Sequence, residues 1–164
     1  MSKITATIIT ISDRSSAGAR PDKSGPALIQ YLKDHNFDLV EYLIISDDLQ
    51  KIQDTLISAC QNLPNIIFTT GGTGFAGRDN TPEATKAVLN KETPGISEYL
   101  RFKSMQITPH AILSRATSGI RNETLIINLP GSPKAVIESI TFLLPVLSHA
   151  VELIKNSPNS ENNH

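Results

Sequence analysis

The chain has 164 residues, 39% of them hydrophobic and 19% charged, which fits one folded domain and excludes a disordered or fibrous chain. Its net charge of −1 provides no overall positive field to attract nucleic acid or an anionic membrane. A single cysteine, Cys60, excludes a disulfide framework and suits a reducing compartment. The longest apolar stretch, residues 140–154, is interrupted by Pro145 and is shorter than the ~20 residues that a membrane span needs. The first residues also lack the pattern of a signal peptide, so we expect a soluble, cytoplasmic protein that binds neither nucleic acid nor membrane.

Segments rich in β-branched residues alternate with segments of helical apolar periodicity. Strands are predicted at residues 3–12, 38–45, 66–70, 111–115 and 124–128. Helices are predicted after Gly25-Pro26, after a cap at Ser46 or Asp47, from Thr81-Pro82, over 96–106, and from the turn at 130–133 to about Lys155. This alternation predicts an α/β fold, a three-layer sandwich with a mostly parallel central sheet and helices on both faces. Residues 1–155 form the single predicted domain, and residues 156–164 are predicted to be a disordered polar tail.

Ligands of open α/β sheets bind outside the carboxyl ends of the strands. Four loops leave those ends, at residues 12–24, 46–48, 71–81 and 128–133, and they contain most of the glycines. Three of them also carry an acid: Asp13, Asp47 and Asp79. Because Mg²⁺ bound to a nucleotide takes one or two carboxylates, these acids form a candidate magnesium site. Taken singly, Asp47 is also explained as only a helix cap and Asp79 as only a turn residue.

The glycine-rich loop at 71–77 resembles two well-known motifs incompletely. Residues 72–77 match G-x-G-x-x-G, but Arg78, Asp79 and Asn80 stand before the next helix, where a dinucleotide fingerprint requires the helix at once. A P-loop is excluded because Arg78-Asp79 replaces its Lys-Ser/Thr. The loop is either a phosphate-binding cradle of backbone N–H groups or only a tight turn. The helix start at Ser132-Pro133 is a second candidate cradle.

Other reactive side chains give weaker signals. The four histidines have no metal-ligand spacing, so zinc is not expected. Cys60 lies on the apolar side of a predicted helix and is interpreted as a core residue. Arg115 follows a short apolar run, where it is either an anion ligand or a plain surface arginine.

Two segments carry a family resemblance. Residues 70–75 (TGGTGF) and 78–85 (RDNTPEAT) resemble the signature of the molybdopterin-binding MogA/MoaB family, which includes the G domains of gephyrin and of plant Cnx proteins. Further similar segments lie at residues 11–13, 22–26, 92–95, 113–115, 119–121 and 125–133. The resemblance covers residues 4–155, which is the whole predicted domain.

The resemblance implies a molybdopterin adenylyltransferase, an enzyme of molybdenum cofactor biosynthesis that transfers AMP from Mg-ATP to the terminal phosphate of molybdopterin. It implies that Asp47 and Asp79 are the essential acids and bind Mg²⁺; the register favours Asp47 over Asp48. Ser114 is implied in substrate binding, with Arg78 or Arg115 as a phosphate clamp. The implied nucleotide site comprises Asp13, Gly71, Gly72, Thr73, Gly74, Pro130, Gly131 and Ser132. A homotrimer is also implied, with a molybdenum-insertion protein as a candidate downstream partner.

Two hypotheses from other classes remain open at this point. The first is a scaffold that binds molybdopterin without turning over ATP. The second is an NAD-dependent oxidoreductase built on residues 72–77. Release of pyrophosphate distinguishes the enzyme from the scaffold, and enhanced NADH fluorescence would support the oxidoreductase.

Overall fold

The computed structural model describes residues 2–156, which form a six-stranded sheet of order β2-β1-β3-β6-β5-β4. Neighbouring strands among β2, β1, β3 and β6 are parallel, and β5 and β4 extend one edge in antiparallel pairs. The predicted mostly parallel sheet is therefore confirmed, with β1, β3 and β6 in its middle. The strands are β1 (Ile4–Ile11), β2 (Phe37–Ile45), β3 (Ile66–Thr70), β4 (Lys91–Glu92), β5 (Ser118–Arg121) and β6 (Thr124–Leu129).

Helices cover both faces of this sheet. Buried residues of α2, α5 and α6 pack on one face, and buried residues of α3 and α4 pack on the other. The predicted three-layer sandwich is thus confirmed. The helices are α1 (Asp13–Ser16), α2 (Ser24–Asp34), α3 (Leu49–Gln61), α4 (Thr81–Val88), α5 (Pro94–Met105) and α6 (Pro133–Lys155), with a 3-10 helix at Pro109–Leu113.

The central strands are buried on both faces, which explains their nearly unbroken apolar sequence. In β1, Ile8 belongs to the core cluster beneath α2 and α6, whereas Ile9 belongs to the cluster beneath α3 and α4. This division follows from the alternation of side chains along a strand. Cys60, on α3, is buried in the second cluster, as expected.

Several local predictions were wrong. Residues 111–115 are not a strand: the 3-10 helix occupies Pro109–Leu113, where Pro109 starts the turn and the Thr108 side chain caps it. The antiparallel strands β4 and β5 were missed because they are short and lie at the sheet edge. The cap of α3 is neither Ser46 nor Asp47 but Asp48, whose side chain accepts a hydrogen bond from the N–H of Lys51.

Helix α6 is the one helix among the described residues with the length and apolar composition of a membrane span. As predicted, it runs to Lys155, and Pro145, which interrupts the apolar stretch in the sequence, lies within the helix. One side of α6, including Val136, Ile140 and Leu143, is buried in the core beneath the sheet, so we interpret α6 as a core helix. The predicted tail falls mostly on residues 157–164, outside the described residues, while Asn156 ends α6.

The parallel register brings four strand ends to one edge of the sheet. Ile11 of β1 pairs with Ile45 of β2, and Thr70 of β3 lies between Thr10 of β1 and Leu129 of β6. The loops that follow these strands therefore meet at the carboxyl edge, where the sequence analysis expects a ligand.

Candidate active site at the carboxyl edge of the sheet

A cavity of about 740 Å³ opens at this edge. Its wall is formed by the loops after β1, β2 and β3 and by the start of α6. Seven of the residues singled out from the sequence line it: Asp13, Asp47, Gly71, Gly72, Asp79, Gly131 and Ser132. Six others do not line it: Thr73, Gly74, Arg78, Ser114, Arg115 and Pro130.

Asp13 and Asp47 hold each other through backbone hydrogen bonds. The N–H of Asp13 donates to Oδ2 of Asp47 at 2.8 Å, and the N–H of Asp47 donates to Oδ1 of Asp13 at 3.0 Å. Each carboxylate thus fixes the backbone that carries the other. These two hydrogen bonds join the ends of β1 and β2 where they line the cavity.

Asp47 lies in an environment that opposes its negative charge. Burial raises the pKa of its carboxyl group, and the charges of Asp13 and Asp79 raise it further, against the lowering effect of the hydrogen bond from Asp13. Asp48 is exposed and caps α3. Since Asp48 is used by the helix, the cap alternative no longer accounts for Asp47, and only Asp47 of this pair lines the cavity.

Asp13 is held in its ionised form by Arg78. The Nε and Nη2 atoms of Arg78 donate to its two carboxylate oxygens at 2.9 and 2.8 Å. This pairing, with the hydrogen bond from the N–H of Asp47, lowers the pKa of Asp13. Arg78 therefore neutralises a cavity carboxylate in this structure.

Asp79 closes the glycine-rich loop on itself. Its Oδ2 atom accepts a hydrogen bond from the N–H of Ala76 at 3.1 Å, and a Cβ on Gly74 would lie 2.8 Å from the same oxygen. A residue larger than glycine at position 74 would displace the carboxylate. The conformation of the turn and the position of the Asp79 carboxylate therefore depend on each other.

Gly71 and Gly72 are required by the protein's own packing. Both have positive φ, at 93° and 68°. A Cβ on Gly71 would collide with the carbonyl oxygen of Ile11, and one on Gly72 would collide with Oγ1 of Thr81 and approach Oδ1 of Asp47 to 3.0 Å. The sequence analysis left open whether this loop is a phosphate cradle or only a tight turn; the space that these Cβ atoms would fill is occupied by the chain itself, so packing alone requires both glycines.

Arg115 stabilises the same loop through hydrogen bonds and does not line the cavity. Its Nε atom donates to the carbonyl of Gly74 and its Nη2 atom to the carbonyl of Asp79, both at 2.7 Å, while Nη1 pairs with Glu83. The N–H of Arg115 also donates to the carbonyl of Thr73 at 2.8 Å. Every guanidinium nitrogen thus contacts the protein, and in this structure Arg115 supports the loop instead of facing the cavity, as a phosphate clamp would.

The start of α6 connects two walls of the cavity. Ser132 caps α6 by accepting a hydrogen bond from the N–H of Ala135 at 3.2 Å. The buried Ser24 donates its hydroxyl proton to the carbonyl of Gly131 at 2.6 Å. Ser114, half-buried, accepts from the N–H of Ala116 and lies outside this cavity.

Sequence reasoning missed cationic and polar residues that line the cavity. They all lie in the loop after β1, which was already placed at the ligand edge, and the presence of three cations within ten residues was the signal available. These residues are Arg14, Arg20, Asp22, Lys23 and Ser24.

The carboxylates that line the cavity suit a magnesium ion whose remaining ligands come from water and phosphate. Within residues 2–156, no three acidic, histidine or cysteine side chains are arranged to hold a metal ion. Asp47 and Asp79 remain a pair of carboxylates on one cavity, and Mg²⁺ commonly takes one or two carboxylates and completes its shell with water and phosphate oxygens. The residues therefore fit a magnesium ion that arrives with a phosphate ligand.

Comparisons with known proteins agree with this architecture. Residues 7–149 match the family described as a probable molybdopterin binding domain. A molybdopterin adenylyltransferase of Helicobacter pylori is 43% identical over 150 residues, which cover 90% of this chain and 85% of that protein. Gephyrin of Dictyostelium discoideum is 40% identical over 163 residues, which cover 93% of this chain but only 23% of gephyrin.

Solved structures give the same result. The molybdopterin biosynthesis enzyme MoaB from Thermus thermophilus superposes with a TM-score of 0.88 at 40% identity, covering 93% of this chain and 97% of that one. The tungsten cofactor synthesizing protein MoaB from Pyrococcus furiosus superposes with a TM-score of 0.87 at 31% identity, covering 94% and 99%. Sequence signature, fold and relatives therefore agree, and the chain belongs to the molybdopterin-binding MogA/MoaB family.

Proposed function

We propose that this chain is a molybdopterin adenylyltransferase, which transfers AMP from ATP to the terminal phosphate of molybdopterin during molybdenum cofactor biosynthesis. The observation that carries the proposal is the cavity at the carboxyl edge, where Asp47 and Asp79 lie beside the Gly71-Gly72 backbone. Relatives that bear this enzyme name cover most of the chain, including a second one, from Escherichia coli, that is 42% identical over 137 residues.

The reaction needs positioning more than it needs a reactive side chain. A phosphate oxygen of molybdopterin attacks the α-phosphorus of ATP, the bond from that phosphorus to the bridging oxygen breaks, and pyrophosphate leaves with the electron pair. No covalent intermediate with the protein is required. The protein therefore acts by aligning two polyanions and by stabilising the charge that develops on the leaving group.

Asp47 and Asp79 are the residues that would hold Mg²⁺. The ion, when bound, supplies positive charge that offsets the repulsion between the two phosphate substrates. Burial and neighbouring carboxylates raise the pKa of Asp47, so a cation at this site would favour its ionised form. The reciprocal hydrogen bonds with Asp13 fix the backbone of Asp47, and the contact with Ala76 fixes the carboxylate of Asp79.

The pterin is expected on the side of the glycine-rich loop where Ser114 lies. The N–H of Arg115 donates to the carbonyl of Thr73, so the segment around Ser114 runs beside this loop. The pterin would then lie beside residues 71–74, with its terminal phosphate directed toward the nucleotide in the cavity. This arrangement supports separate effects of substitutions on the two substrates.

The proposal is tested by Asp79→Asn and Asp47→Asn, with the AMP adduct of molybdopterin measured by mass spectrometry. Each variant should remain folded, because a loop carboxylate at the sheet edge contributes little to the core. Each should lower turnover by about a hundredfold or more, the consequence of losing several kcal/mol of charge stabilisation. Molybdopterin affinity should change little.

Asp48→Asn is the matched control, since asparagine also caps helices and Asp48 does not line the cavity. It should form the adduct at nearly the parent rate. If Asp47→Asn or Asp79→Asn also does so, that residue is only structural. If the unmodified protein binds molybdopterin and releases no pyrophosphate, the scaffold hypothesis replaces the enzyme.

The assembly and setting of the enzyme are part of the same proposal. We propose a cytoplasmic homotrimer that passes its product to a molybdenum-insertion protein. The family resemblance supports the trimer, and an exposed apolar surface on α5 and the 3-10 helix, including Tyr99, Phe102 and Ile112, is compatible with self-association. Light scattering should give three times the 17.8 kDa chain mass; a monomer at micromolar concentration would contradict the trimer.

A further inference from the structure

Three cationic side chains line one part of the cavity wall. Arg14 lies in α1, and Arg20 and Lys23 lie in the segment between α1 and α2. All three are exposed, and none of them forms an ion pair with any other part of the chain that the structure describes. Their charges are therefore available to a ligand in the cavity.

The segment that carries Arg20 and Lys23 is anchored between them by Asp22. One carboxylate oxygen of Asp22 accepts hydrogen bonds from the N–H groups of Ser24 at 3.1 Å and Gly25 at 3.3 Å. The other accepts from the hydroxyl of Thr10 at 2.7 Å and from the hydroxyl of Tyr42. Four hydrogen bonds tie this loop to β1, β2 and the start of α2.

A second contact holds the same loop to the opposite wall. The buried hydroxyl of Ser24 donates to the carbonyl of Gly131 at 2.6 Å, just before α6. At the other end of the segment, the N–H of Ala19 donates to the carbonyl of Arg14 at 2.9 Å. The backbone beneath all three cations is therefore fixed before any ligand binds, which lowers the entropy cost of binding.

Charges of both signs line the cavity. The negative charge of Asp13 is offset by Arg78, and the oxygens of Asp22 are used by their four hydrogen bonds. Asp47 and Asp79 remain as the carboxylates proposed for the cation, and Arg14, Arg20 and Lys23, here called the basic region, line the same cavity. A polyphosphate that carries a divalent cation needs both kinds of contact.

We propose that Arg14, Arg20 and Lys23 bind the polyphosphate of the nucleotide, the part that leaves as pyrophosphate. The inference rests on the proposed adenylyl transfer and adds a binding subsite to it. As the bond between the α-phosphorus and the bridging oxygen breaks, the electron pair moves onto the pyrophosphate oxygen, and nearby guanidinium and ammonium groups stabilise that charge. AMP, which lacks these phosphates, makes no use of the basic region.

The test is the affinity for magnesium pyrophosphate, measured by calorimetry in the full chain. The triple variant Arg14→Gln/Arg20→Gln/Lys23→Gln should bind it on the order of a hundredfold more weakly, as expected when each exposed charge pair accounts for about a fivefold change. The affinity for AMP should change less than about twofold. The affinity of the parent protein for pyrophosphate should fall with added salt, and that of the variant should fall less steeply.

The matched control is Lys33→Gln/Lys51→Gln/Lys155→Gln, which removes the same number of positive charges at residues that do not line the cavity. It should bind pyrophosphate nearly as the parent does, and circular dichroism should show that both variants are folded. Equal losses in the two triple variants would overturn the proposal, because a general charge effect would then explain them.

Two further outcomes would also overturn the inference. Unchanged pyrophosphate affinity in the cavity variant would show that the cations do not contact the polyphosphate. A loss of affinity confined to molybdopterin would show that they bind the pterin phosphate instead. Failure of the proposed function is distinguishable, because the parent protein would then form no AMP adduct at all.

Discussion

At the scale of single residues, Arg115 supports the glycine-rich loop that carries Asp79. The sequence left Arg115 as either an anion ligand or a plain surface arginine, whereas its guanidinium binds the carbonyls of Gly74 and Asp79 and the carboxylate of Glu83. Hydrogen-bonded pairs of this kind depend on the path of a loop, and residue types alone do not reveal that path. Arg115 is therefore a positioning residue for Asp79.

Arg115→Lys tests this role. A single ammonium group cannot reproduce the planar set of donors that reaches Gly74, Asp79 and Glu83 together. The carboxylate of Asp79 should then be less well placed, and the Mg²⁺ concentration that gives half-maximal adduct formation should rise about tenfold. Titration of activity against Mg²⁺ measures this, and molybdopterin affinity should stay near the parent value.

Glu83→Gln is the control for that experiment. It weakens the exposed pair with Arg115 but leaves both carbonyl contacts of the guanidinium in place. Its effect on the Mg²⁺ requirement should be clearly smaller. If Arg115→Lys instead lowers molybdopterin affinity and leaves the Mg²⁺ requirement unchanged, Arg115 is the substrate ligand that the sequence suggested.

A buried hydroxyl in β1 offers a separate prediction about stability. Thr7 is fully buried and its Oγ1 atom has no hydrogen-bond partner among the described residues. An unsatisfied buried hydroxyl is costly, so Thr7→Val should raise the free energy of unfolding by about 1 kcal/mol. Urea denaturation monitored by circular dichroism measures the change.

Thr69 supplies the matched comparison in the neighbouring strand. It is equally buried, but its Oγ1 atom accepts a hydrogen bond from Asn128 at 2.9 Å. Thr69→Val should therefore lower the free energy of unfolding by about 1 to 2 kcal/mol, since one donor of Asn128 loses its partner. Equal effects of the two substitutions would mean that the hydroxyl of Thr7 is satisfied in solution.

At the scale of secondary-structure elements, the start of α3 separates the tasks of two adjacent acids. Asp48 accepts a hydrogen bond from the N–H of Lys51 at 2.8 Å, while Asp47 lines the cavity. Asp48→Ala should lower the free energy of unfolding by about 1 kcal/mol, the usual value of an N-cap. Adduct formation per folded molecule should stay near the parent value.

The opposite pattern is expected for Asp47→Asn, in which turnover falls and helix capping is intact. Thermal unfolding and adduct formation, measured on both variants, distinguish the two tasks. A large loss of turnover in Asp48→Ala at a temperature where it is fully folded would assign the catalytic role to Asp48.

Elements with strong periodicity were predictable, and those defined by tertiary pairing were not. The sequence predicts β3 at the observed residues, because its five residues are apolar or β-branched and lie between turn formers. By contrast, β4 has two residues and exists because Lys91 and Glu92 pair with β5. The sequence predicts a strand at residues 111–115 because a short apolar run is compatible with one, whereas Pro109–Leu113 is a 3-10 helix.

At the scale of the whole molecule, the position of the cavity was predictable and its charge distribution was not. Parallel pairing of β1, β2 and β3 requires the following loops to meet at one edge, and this follows from the order of strands and helices. Which of the lining charges have partners within the part of the protein that the structure describes, as Asp13 does and Arg14 does not, depends on side-chain contacts. The anchoring of the loop at Asp22 is one such contact, and no local pattern in the sequence shows it.

The last prediction concerns how magnesium and polyphosphate act together on the stability of the whole domain. Two core clusters on the faces of the sheet hold the fold together, and the described residues offer no set of three side chains able to bind a metal ion. Removing Mg²⁺ with a chelator should therefore leave the melting temperature of the free protein unchanged within about 1 °C.

Ligands that bind only the folded state stabilise it by RT ln(1 + [L]/Kd), so magnesium pyrophosphate at about a hundred times its Kd should stabilise the folded domain by about 2.7 kcal/mol. Because the cation needs phosphate oxygens to complete its shell and the polyphosphate needs the cation to approach Asp47 and Asp79, magnesium and pyrophosphate together should raise the melting temperature by more than the sum of their separate effects. Differential scanning fluorimetry measures the melting temperature of the free protein, with Mg²⁺ alone, with pyrophosphate alone and with both. Strictly additive shifts would mean that the two ligands bind at unconnected sites.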